Sequence, residues 1–323
     1  MSSSEAVTAE PVVAARALTR CYGEQVAVDD VDLEVAAGTI FGFIGPSGSG
    51  KTTTVRLLTG IEGPSSGEVR VFGMPPTSFT ARDRARIGYM PQLASLYPHL
   101  SLHENLTFVA SLYGVPLRRQ RRLTKVLDFV ELTSHRGKLL RDVSGGMQRR
   151  LSLAATLLHE PDLIFLDEPT AGIDPVLRRK FWEHFTDLKA QGKTVFMTTQ
   201  YVGESADCDE VGVLVDGRLI ARDTPDALRR TAFGGDLVDV VAAEALGDPL
   251  VGRIRSLRGM LAARRTRTDG RGLRLVVADA DDATVWLQDW FDEHDVPLVS
   301  LRHHVPTFDD VFVKLIEEPR DHA

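Results

Sequence analysis

Gly45-Pro-Ser-Gly-Ser-Gly-Lys-Thr52 is the segment from which the fold of this 323-residue chain can be predicted. It matches G-x-x-x-x-G-K-[ST], in which glycines allow consecutive backbone N–H groups to point inward at phosphate groups. The apolar run 40–44 before it predicts a buried strand, and 52–58 after it has a helical pattern. A glycine-rich turn that ends in lysine by chance is the alternative, and the flanking strand and helix argue against it.

This phosphate loop predicts a site for a nucleotide and Mg²⁺. We expect the ammonium group of Lys51 to reach the β and γ phosphates and the hydroxyl of Thr52 to bind the Mg²⁺ ion. The N-terminus of the following helix adds a partial positive charge. The residues expected to contact the nucleotide are Gly45, Pro46, Ser47, Gly48, Ser49, Gly50, Lys51, Thr52 and Thr53.

A second apolar run, 163–166, ends in the carboxylates Asp167 and Glu168. Open α/β sheets bind ligands at the carboxyl ends of their strands, so both side chains are expected at the phosphate loop. We expect Asp167 to hold the Mg²⁺ shell and Glu168 to polarise the attacking water as general base. On its own, a strand that ends in Asp-Glu is usually an ordinary strand end, so this prediction depends on the loop.

The segment Val143-Ser-Gly-Gly-Met147-Gln-Arg149 precedes a helical pattern and predicts a second anion site at a helix N-terminus. A plain N-cap of a core helix is the simpler interpretation. Together with the loop and the acidic strand, the segment resembles the LSGGQ signature of the ATP-binding subunits of ABC transporters. Val143 stands where that signature has its leading leucine, and Met147 takes its fifth position.

The resemblance implies a head-to-tail homodimer formed on ATP binding. In it, Ser144, Gly145 and Gly146 of one subunit contact the ATP held by the phosphate loop of the other. Tyr22 matches the aromatic residue that stacks on adenine, although a lone tyrosine is more often a core or surface residue.

Three further positions match loops of the family. Gln92, in Tyr89-Met-Pro-Gln92, matches the glutamine that meets Mg²⁺ and relays to the membrane partner, and Asp174 matches the D-loop. Gln200 stands where the family usually has a switch histidine. The resemblance therefore implies that Lys51, Glu168 and Gln200 act in hydrolysis, with a neutral amide in place of an imidazole.

Three features resemble the daunorubicin-resistance-type branch of type-2 exporters: the form Thr198-Thr-Gln-Tyr201, the signature form with Met147, and the closing motif 306–312. This implies an ATP-hydrolysing subunit that powers export of a drug-like or lipid-like substrate. Its partner is a separately encoded integral-membrane permease, and its place is the cytoplasmic face of the membrane.

The predicted fold class is α/β, an ABC-type P-loop ATPase domain over 12–230. It combines a parallel sheet core, an antiparallel β subdomain and a helical subdomain, the last from helical patterns at 103–112 and 123–132. Residues 1–11 are expected to be a disordered tail. After Gly235, the order β-α-β-β-α-β predicts a small α+β ferredoxin-like domain over 236–323, closed by a helix from Thr307.

Composition excludes several classes of protein. With 38 Lys and Arg against 45 Asp and Glu, the net charge is −7, so no nucleic-acid partner is expected. Two cysteines far apart exclude a disulfide scaffold and a zinc finger and fit a reducing cytosol. No apolar stretch has the roughly 18 residues of a membrane span, and the N-terminus lacks the features of a secretory signal.

Other functions stay open within this resemblance. The alternatives are another type-2 system that exports polysaccharide or lipid, an importer, or a soluble ABC ATPase without a transport role. Ribosome-acting ABC proteins carry two cassettes, whereas this sequence has one phosphate loop and one signature. Chromosome-structural ABC ATPases have long coiled coils, and no heptads separate Lys51 from Ser144.

Overall fold

The computed structural model describes residues 10–93, 95–116 and 118–317, and the predicted tail at 1–11 lies almost wholly outside them. The chain divides into two compact units between Arg222 and Asp223. The domain bounds predicted at 230 and 236 stay predictions. Over the described residues, no helix combines the length and apolar character that crossing a membrane requires.

The first unit contains nine strands and six α-helices among its described residues. The strands are β1 (Val13–Tyr22), β2 (Gln25–Val35), β3 (Ile40–Ile44), β4 (Ser66–Val71), β5 (Ile87–Met90), β6 (Leu163–Asp167), β7 (Thr194–Thr199), β8 (Glu210–Val215) and β9 (Arg218–Asp223). The helices are α1 (Lys51–Leu58), α2 (Ala81–Arg84), α3 (Leu102–Leu112), α4 (Gln120–Phe129), α5 (Gly145–Leu157) and α6 (Pro175–Ala190).

A six-stranded sheet in the order β5-β6-β7-β3-β8-β9 carries the predicted motifs. Its strands β5, β6, β7, β3 and β8 pair in parallel. Every residue of β3 and β6 is buried, as expected for strands covered on both faces. Because the strands are parallel, the carboxyl ends of β3, β6 and β7 meet at one edge of the sheet.

Aromatic rings in contact, one pair stacked and one tilted, join the central strands beneath that edge. The ring of Phe196 on β7 lies 5.3 Å from that of Phe41 on β3 and 5.5 Å from that of Phe165 on β6. All three side chains are fully buried. Such pairs add about 0.5–1.5 kcal/mol each to the burial energy, so this cluster helps to fix the strand order.

A second, antiparallel sheet in the order β2-β1-β4 forms the predicted β subdomain. The register of β1 shifts after Ala15, and Ala17 takes a left-handed φ of 46°. This irregularity interrupts the alternation of apolar and polar residues. For that reason the ends of β1 cannot be predicted from the sequence pattern.

The helical subdomain contains α3, α4 and α5, which contact one another. The prediction of a helix over 123–132 is corrected to Gln120–Phe129. The helix ends early because Glu131 takes a left-handed φ of 56°. Val130 and Leu132 are buried in the turn that follows, so their apolar character extended the helical pattern beyond the helix.

The second unit has the predicted β-α-β-β-α-β order, framed by two further helices. Its elements are α7 (Pro225–Phe233), β10 (Asp236–Ala242), α8 (Asp248–Arg255), β11 (Met260–Arg265), β12 (Gly272–Val277), α9 (Ala280–Glu293), β13 (Leu298–His304) and α10 (Phe308–Glu317). The antiparallel sheet has the order β11-β12-β10-β13, which is the ferredoxin-like order. Helices α8 and α9 contribute to the core on this sheet.

Helices α7 and α10 pack against each other. For α10, Thr307 and Asp310 form the predicted capping pair, with the Thr307 hydroxyl donating to the Asp310 carboxylate at 2.6 Å. Helix α7 was not predicted, although its signals are present in the sequence: Thr224 caps it, Pro225 begins it and Gly234 ends it with a φ of 77°.

We expect Leu287→Ala to lower the free energy of unfolding of the second unit by about 2–5 kcal/mol, because it leaves a cavity in a fully buried core. Val285→Ala, on the same helix but 66% exposed, should change it by less than about 0.5 kcal/mol. Urea unfolding followed by tryptophan fluorescence measures both, in a Trp182→Phe background that leaves Trp286 and Trp290 as the only reporters. Equal losses in the two variants would contradict the assignment of this core.

Candidate nucleotide-binding and catalytic site

The loop between β3 and α1 has room only for glycine at two positions. A Cβ atom on Gly45 would lie 2.1 Å from the carbonyl oxygen of Leu214, and one on Gly50 2.2 Å from that of Ala27. Gly48 and Gly50 also take left-handed φ angles of 81° and 102°. The backbone can therefore follow this path only with the predicted glycines.

The side chains of the loop fit a chain of phosphates. The ammonium group of buried Lys51 donates to the carbonyl oxygens of Gly45 and Pro46 at 2.8 Å each. Burial lowers the pKa of Lys51, while the charges of Glu168 and Asp167 oppose that shift. The hydroxyl of Ser49 is buried and has no hydrogen-bond partner among the described residues. A cation, an unpaired hydroxyl and the start of α1 thus converge on this loop.

Two predicted Mg²⁺ ligands lie in direct contact. The hydroxyl of Thr52 donates to Asp167 Oδ2 at 2.8 Å, and Asp167 is fully buried at the end of β6. On β7, the hydroxyl of Thr198 donates to the other carboxylate oxygen of Asp167. A hydroxyl and a carboxylate are hard oxygen ligands of the kind Mg²⁺ prefers, so the donor set fits this ion.

The third predicted Mg²⁺ ligand, Gln92, is hydrogen-bonded to Glu168, the residue after Asp167. Its side-chain N–H donates to Glu168 Oε2 at 3.3 Å. Glu168 takes a left-handed φ of 52°, which costs a residue with a Cβ about 1–2 kcal/mol. Its backbone N–H donates to the carbonyl oxygen of Thr198 at 3.0 Å. A residue in this strained conformation thus places its carboxylate against Gln92, and strain of this kind clusters at functional sites.

Arg149 is a site residue to which the sequence pattern assigned no role. From α5, its guanidinium donates to the carbonyl oxygens of Gln92 at 3.0 Å, of Asp167 at 3.1 Å and of Glu168. Burial lowers the pKa of Arg149, and the charges of Glu168 and Asp167 oppose the shift. The arginine was visible in the signature motif, but the sequence does not reveal that it joins two distant loops.

The signature segment begins α5 and leaves an open surface. The hydroxyl of Ser144 caps the helix by accepting from the N–H of Met147 at 3.3 Å. A Cβ atom on Gly145 would meet nothing within 4 Å, and one on Gly146 only the carbonyl oxygen of Gly172 at 3.7 Å. Among the described residues, no hydrogen bond joins 144–146 to the phosphate loop of the same chain. Packing within the chain therefore does not require glycine at position 145.

The remaining predicted residues lie at the ends of elements. Tyr22, at the end of β1, is 41% exposed and donates its hydroxyl to Glu62. Asp174 caps α6 by accepting from the N–H groups of the second and third helical residues at 3.1 and 3.0 Å. Gln200 follows β7 and is exposed. Their roles toward a nucleotide stay predictions.

We expect Gly50→Ala to destabilise the chain more than Gly48→Ala. Both residues have positive φ angles, which cost about 1–2 kcal/mol for alanine, but only Gly50 lies against a backbone carbonyl. A Cβ atom on Gly48 would meet nothing within 4 Å. Denaturant unfolding of the two variants measures the difference, and an equal or larger loss in Gly48→Ala would contradict the loop geometry.

Comparison with known proteins agrees with this site. The family model described as ABC transporter matches residues 28–171. The chain is 35% identical over 316 residues to the Nod factor export ATP-binding protein I of Ralstonia nicotianae, covering 96% of each chain. It is 37% identical over 303 residues to the daunorubicin resistance ATP-binding protein DrrA3 of Streptomyces coeruleorubidus, covering 93% of this chain and 94% of that protein.

A solved structure, described as the dimeric post-hydrolysis state of the ATP-binding cassette MJ0796 bound to ADP and Pi, has a TM-score of 0.62. The two sequences are 26% identical, and the matched region covers 66% of this chain and 98% of the MJ0796 chain. The predicted fold class, an ABC-type P-loop ATPase domain followed by a ferredoxin-like unit, is confirmed. The chain belongs to the ATP-binding proteins of ABC transporters, in the group that includes the Nod factor export and daunorubicin resistance ATP-binding proteins.

Proposed function

We propose that this chain is the ATP-hydrolysing subunit of a two-component membrane exporter. The observation that carries the hydrolytic part of the proposal is the hydrogen bond between Thr52 and Asp167, which joins the phosphate loop to the acidic strand beside Glu168. A mere nucleotide-binding turn would not need a second carboxylate held at the same edge in a strained conformation. The export part is supported by the names of the relatives.

In this proposal each side chain of the site has a separate role in binding or hydrolysing ATP. Lys51 and the N–H groups of the loop bind the β and γ phosphates, and the start of α1 favours their negative charge. Thr52, Asp167 and Gln92 hold Mg²⁺, which neutralises charge on the phosphates when it is bound. Glu168 orients and polarises the attacking water, and Gln200 donates a hydrogen bond to the γ-phosphate.

The second half of each site comes from another copy of the chain. The open surface at Gly145 supports this, because a residue that packs against nothing in its own chain leaves space for a ligand. The MJ0796 cassette, which shares this fold, is described as a dimer bound to ADP and Pi. We therefore propose that Ser144, Gly145 and Gly146 of one subunit contact the ATP on the other, in a homodimer formed on ATP binding.

The transported substrate is proposed from the relatives. Their names include Nod factor export and daunorubicin resistance, so a drug-like or lipid-like substrate fits this chain. The proposed partner of this chain is a separate integral-membrane permease. The chain itself lies peripherally on the cytoplasmic face of the membrane. Export of a polysaccharide or another lipid by a type-2 system is the alternative.

Lys51→Ala and Glu168→Gln should separate binding from turnover. Lys51→Ala removes a charged phosphate contact, so ATP affinity should fall roughly 10- to 100-fold. Glu168→Gln removes only the water-polarising group, so affinity should hold while kcat falls about 100-fold or more. Equilibrium ATP binding and steady-state ATPase rates measure both. Wild-type turnover in Glu168→Gln would contradict its role as general base.

The Glu168→Gln protein should form a stable dimer with Mg-ATP, because ATP holds the two copies together and is not consumed. The matched control is Glu168→Gln with Gly145→Glu added. That side chain enters open space, so the variant should fold and bind ATP normally but elute as a monomer. Size-exclusion chromatography at saturating ATP measures both, and a dimer in the control would contradict the shared site.

Gln200→Ala should lower kcat roughly 100-fold with little change in ATP affinity, because the amide contacts the γ-phosphate in the closed, reacting state. Gln200→His should remain active, because it restores the commoner residue of the family. Because a glutamine amide has no titratable proton, residue 200 should add no step to the pH profile of kcat between about pH 6 and 8, where a histidine changes charge. Unchanged kcat in Gln200→Ala would show that this glutamine is only a loop residue.

A further inference from the structure

Glu204 is a buried carboxylate that the proposed mechanism does not use. It lies in the short 3-10 helix Val202–Asp207 that follows Gln200, and it is only 6% exposed. A charged side chain in a protein interior is costly unless other groups satisfy it. Buried next to the site, Glu204 must therefore be satisfied by neighbouring groups.

Two threonine hydroxyls and one guanidinium surround this carboxylate. Glu204 Oε2 accepts from the hydroxyl of Thr170 at 2.9 Å and from that of Thr199 at 3.0 Å. Glu204 Oε1 lies 3.5 Å from the Nε atom of Arg178, so the carboxylate and the guanidinium form an ion pair. Both hydroxyl donors are themselves buried, with Thr170 and Thr199 each 1% exposed.

Each of these partners lies next to a different loop of the proposed site. Thr170 follows Glu168 by two residues, and Thr199 directly precedes Gln200. Arg178 lies on α6 just after the D-loop, and its guanidinium also donates to the carbonyl oxygen of Ile173 at 3.3 Å. One carboxylate therefore connects the loops that carry the proposed base, the switch residue and Asp174.

The strand β7 is held from both faces by this arrangement. Successive side chains of a strand point to opposite faces, so Thr198 and Thr199 point in opposite directions. Thr198 donates to Asp167 and Thr199 to Glu204. The end of β7, from which Gln200 emerges, is thus attached to the metal-binding carboxylate on one face and to Glu204 on the other.

Burial raises the pKa of Glu204, whereas the hydroxyls of Thr170 and Thr199 and the charge of Arg178 oppose that shift. The same three partners that stabilise the anion are therefore those that it connects. None of them belongs to the phosphate loop, so these contacts of Glu204 do not include that loop.

We propose that Glu204 is a positioning residue for hydrolysis, holding the loops of Glu168, Gln200 and Asp174 in one arrangement. The inference rests on the proposed ATPase function. Without Glu204, the phosphate loop still binds ATP, but the base and the switch residue are no longer held in the geometry that reaction requires. The loss should therefore be in kcat and not in ATP affinity.

The test compares Glu204→Ala and Glu204→Gln with Thr194→Ala. Thr194 is a buried hydroxyl on the same strand, but at its opposite end, where it accepts from the N–H of Gly38 at 2.9 Å. It is the matched control for the loss of a buried hydrogen bond away from the site. Steady-state kcat, equilibrium ATP affinity and melting temperature are measured for wild type and all three variants.

Glu204→Ala should lower kcat roughly 10- to 100-fold, the size of effect that small misplacements of reacting groups produce. Glu204→Gln keeps a carbonyl acceptor for the two hydroxyls but loses the ion pair with Arg178, so its kcat should fall roughly 3- to 10-fold. ATP affinity should stay within about twofold in both, and Thr194→Ala should keep kcat within about twofold. If Glu204→Ala fails to fold, Glu204→Gln decides the question.

A kcat loss in the Glu204 variants no larger than in Thr194→Ala would overturn the inference, as would a loss that lies in ATP affinity alone. These outcomes require an active wild type. A folded wild type that binds ATP without hydrolysing it would instead contradict the proposed function, and the inference would fall with it. The two failures are therefore distinguished by the wild-type rate.

Discussion

Two hydroxyl groups hold the buried carboxylate of Asp167 at the edge of the six-stranded sheet, Thr52 on one oxygen and Thr198 on the other. Thr52 follows β3, Thr198 lies on β7 and Asp167 ends β6, and the sheet places β7 between the other two strands. This strand order and register bring the three side chains within hydrogen-bond distance. A buried carboxylate that lost these donors would be costly, so the same interaction fixes the phosphate loop relative to the acidic strand.

The rest of the site is arranged around this contact. Glu168 follows Asp167 in a left-handed conformation, and Arg149 reaches across from α5 to the carbonyl oxygens of both residues. On the other face of β7, Glu204 accepts from Thr199. The ends of the strands are thus held by buried polar groups, whereas Gly145 faces open space. This contrast fits a rigid half-site that a second copy of the chain completes.

The sequence predicted the parts of this site that depend on residues close together in the chain. The phosphate loop and the strand ending in Asp167 follow from glycine spacing and apolar runs. Outside the site, the β-α-β-β-α-β order of the second unit also follows from the sequence pattern. The contacts of Arg149 and Glu204 could not be predicted, because they join residues that only the strand order brings together. The end of α4 was misplaced because Val130 and Leu132 are buried in a turn, which a helical pattern cannot distinguish from a helix.

In the proposed dimer, two copies of this chain share each ATP, with the phosphate loop of one and the signature segment of the other. The most direct test is a structure of the Glu168→Gln protein bound to Mg-ATP. We predict a homodimer in which Lys51 of one copy and Ser144 of the other both lie within hydrogen-bond distance of the same γ-phosphate. An ATP molecule contacted by the atoms of one copy alone, at saturating nucleotide, would contradict the shared site.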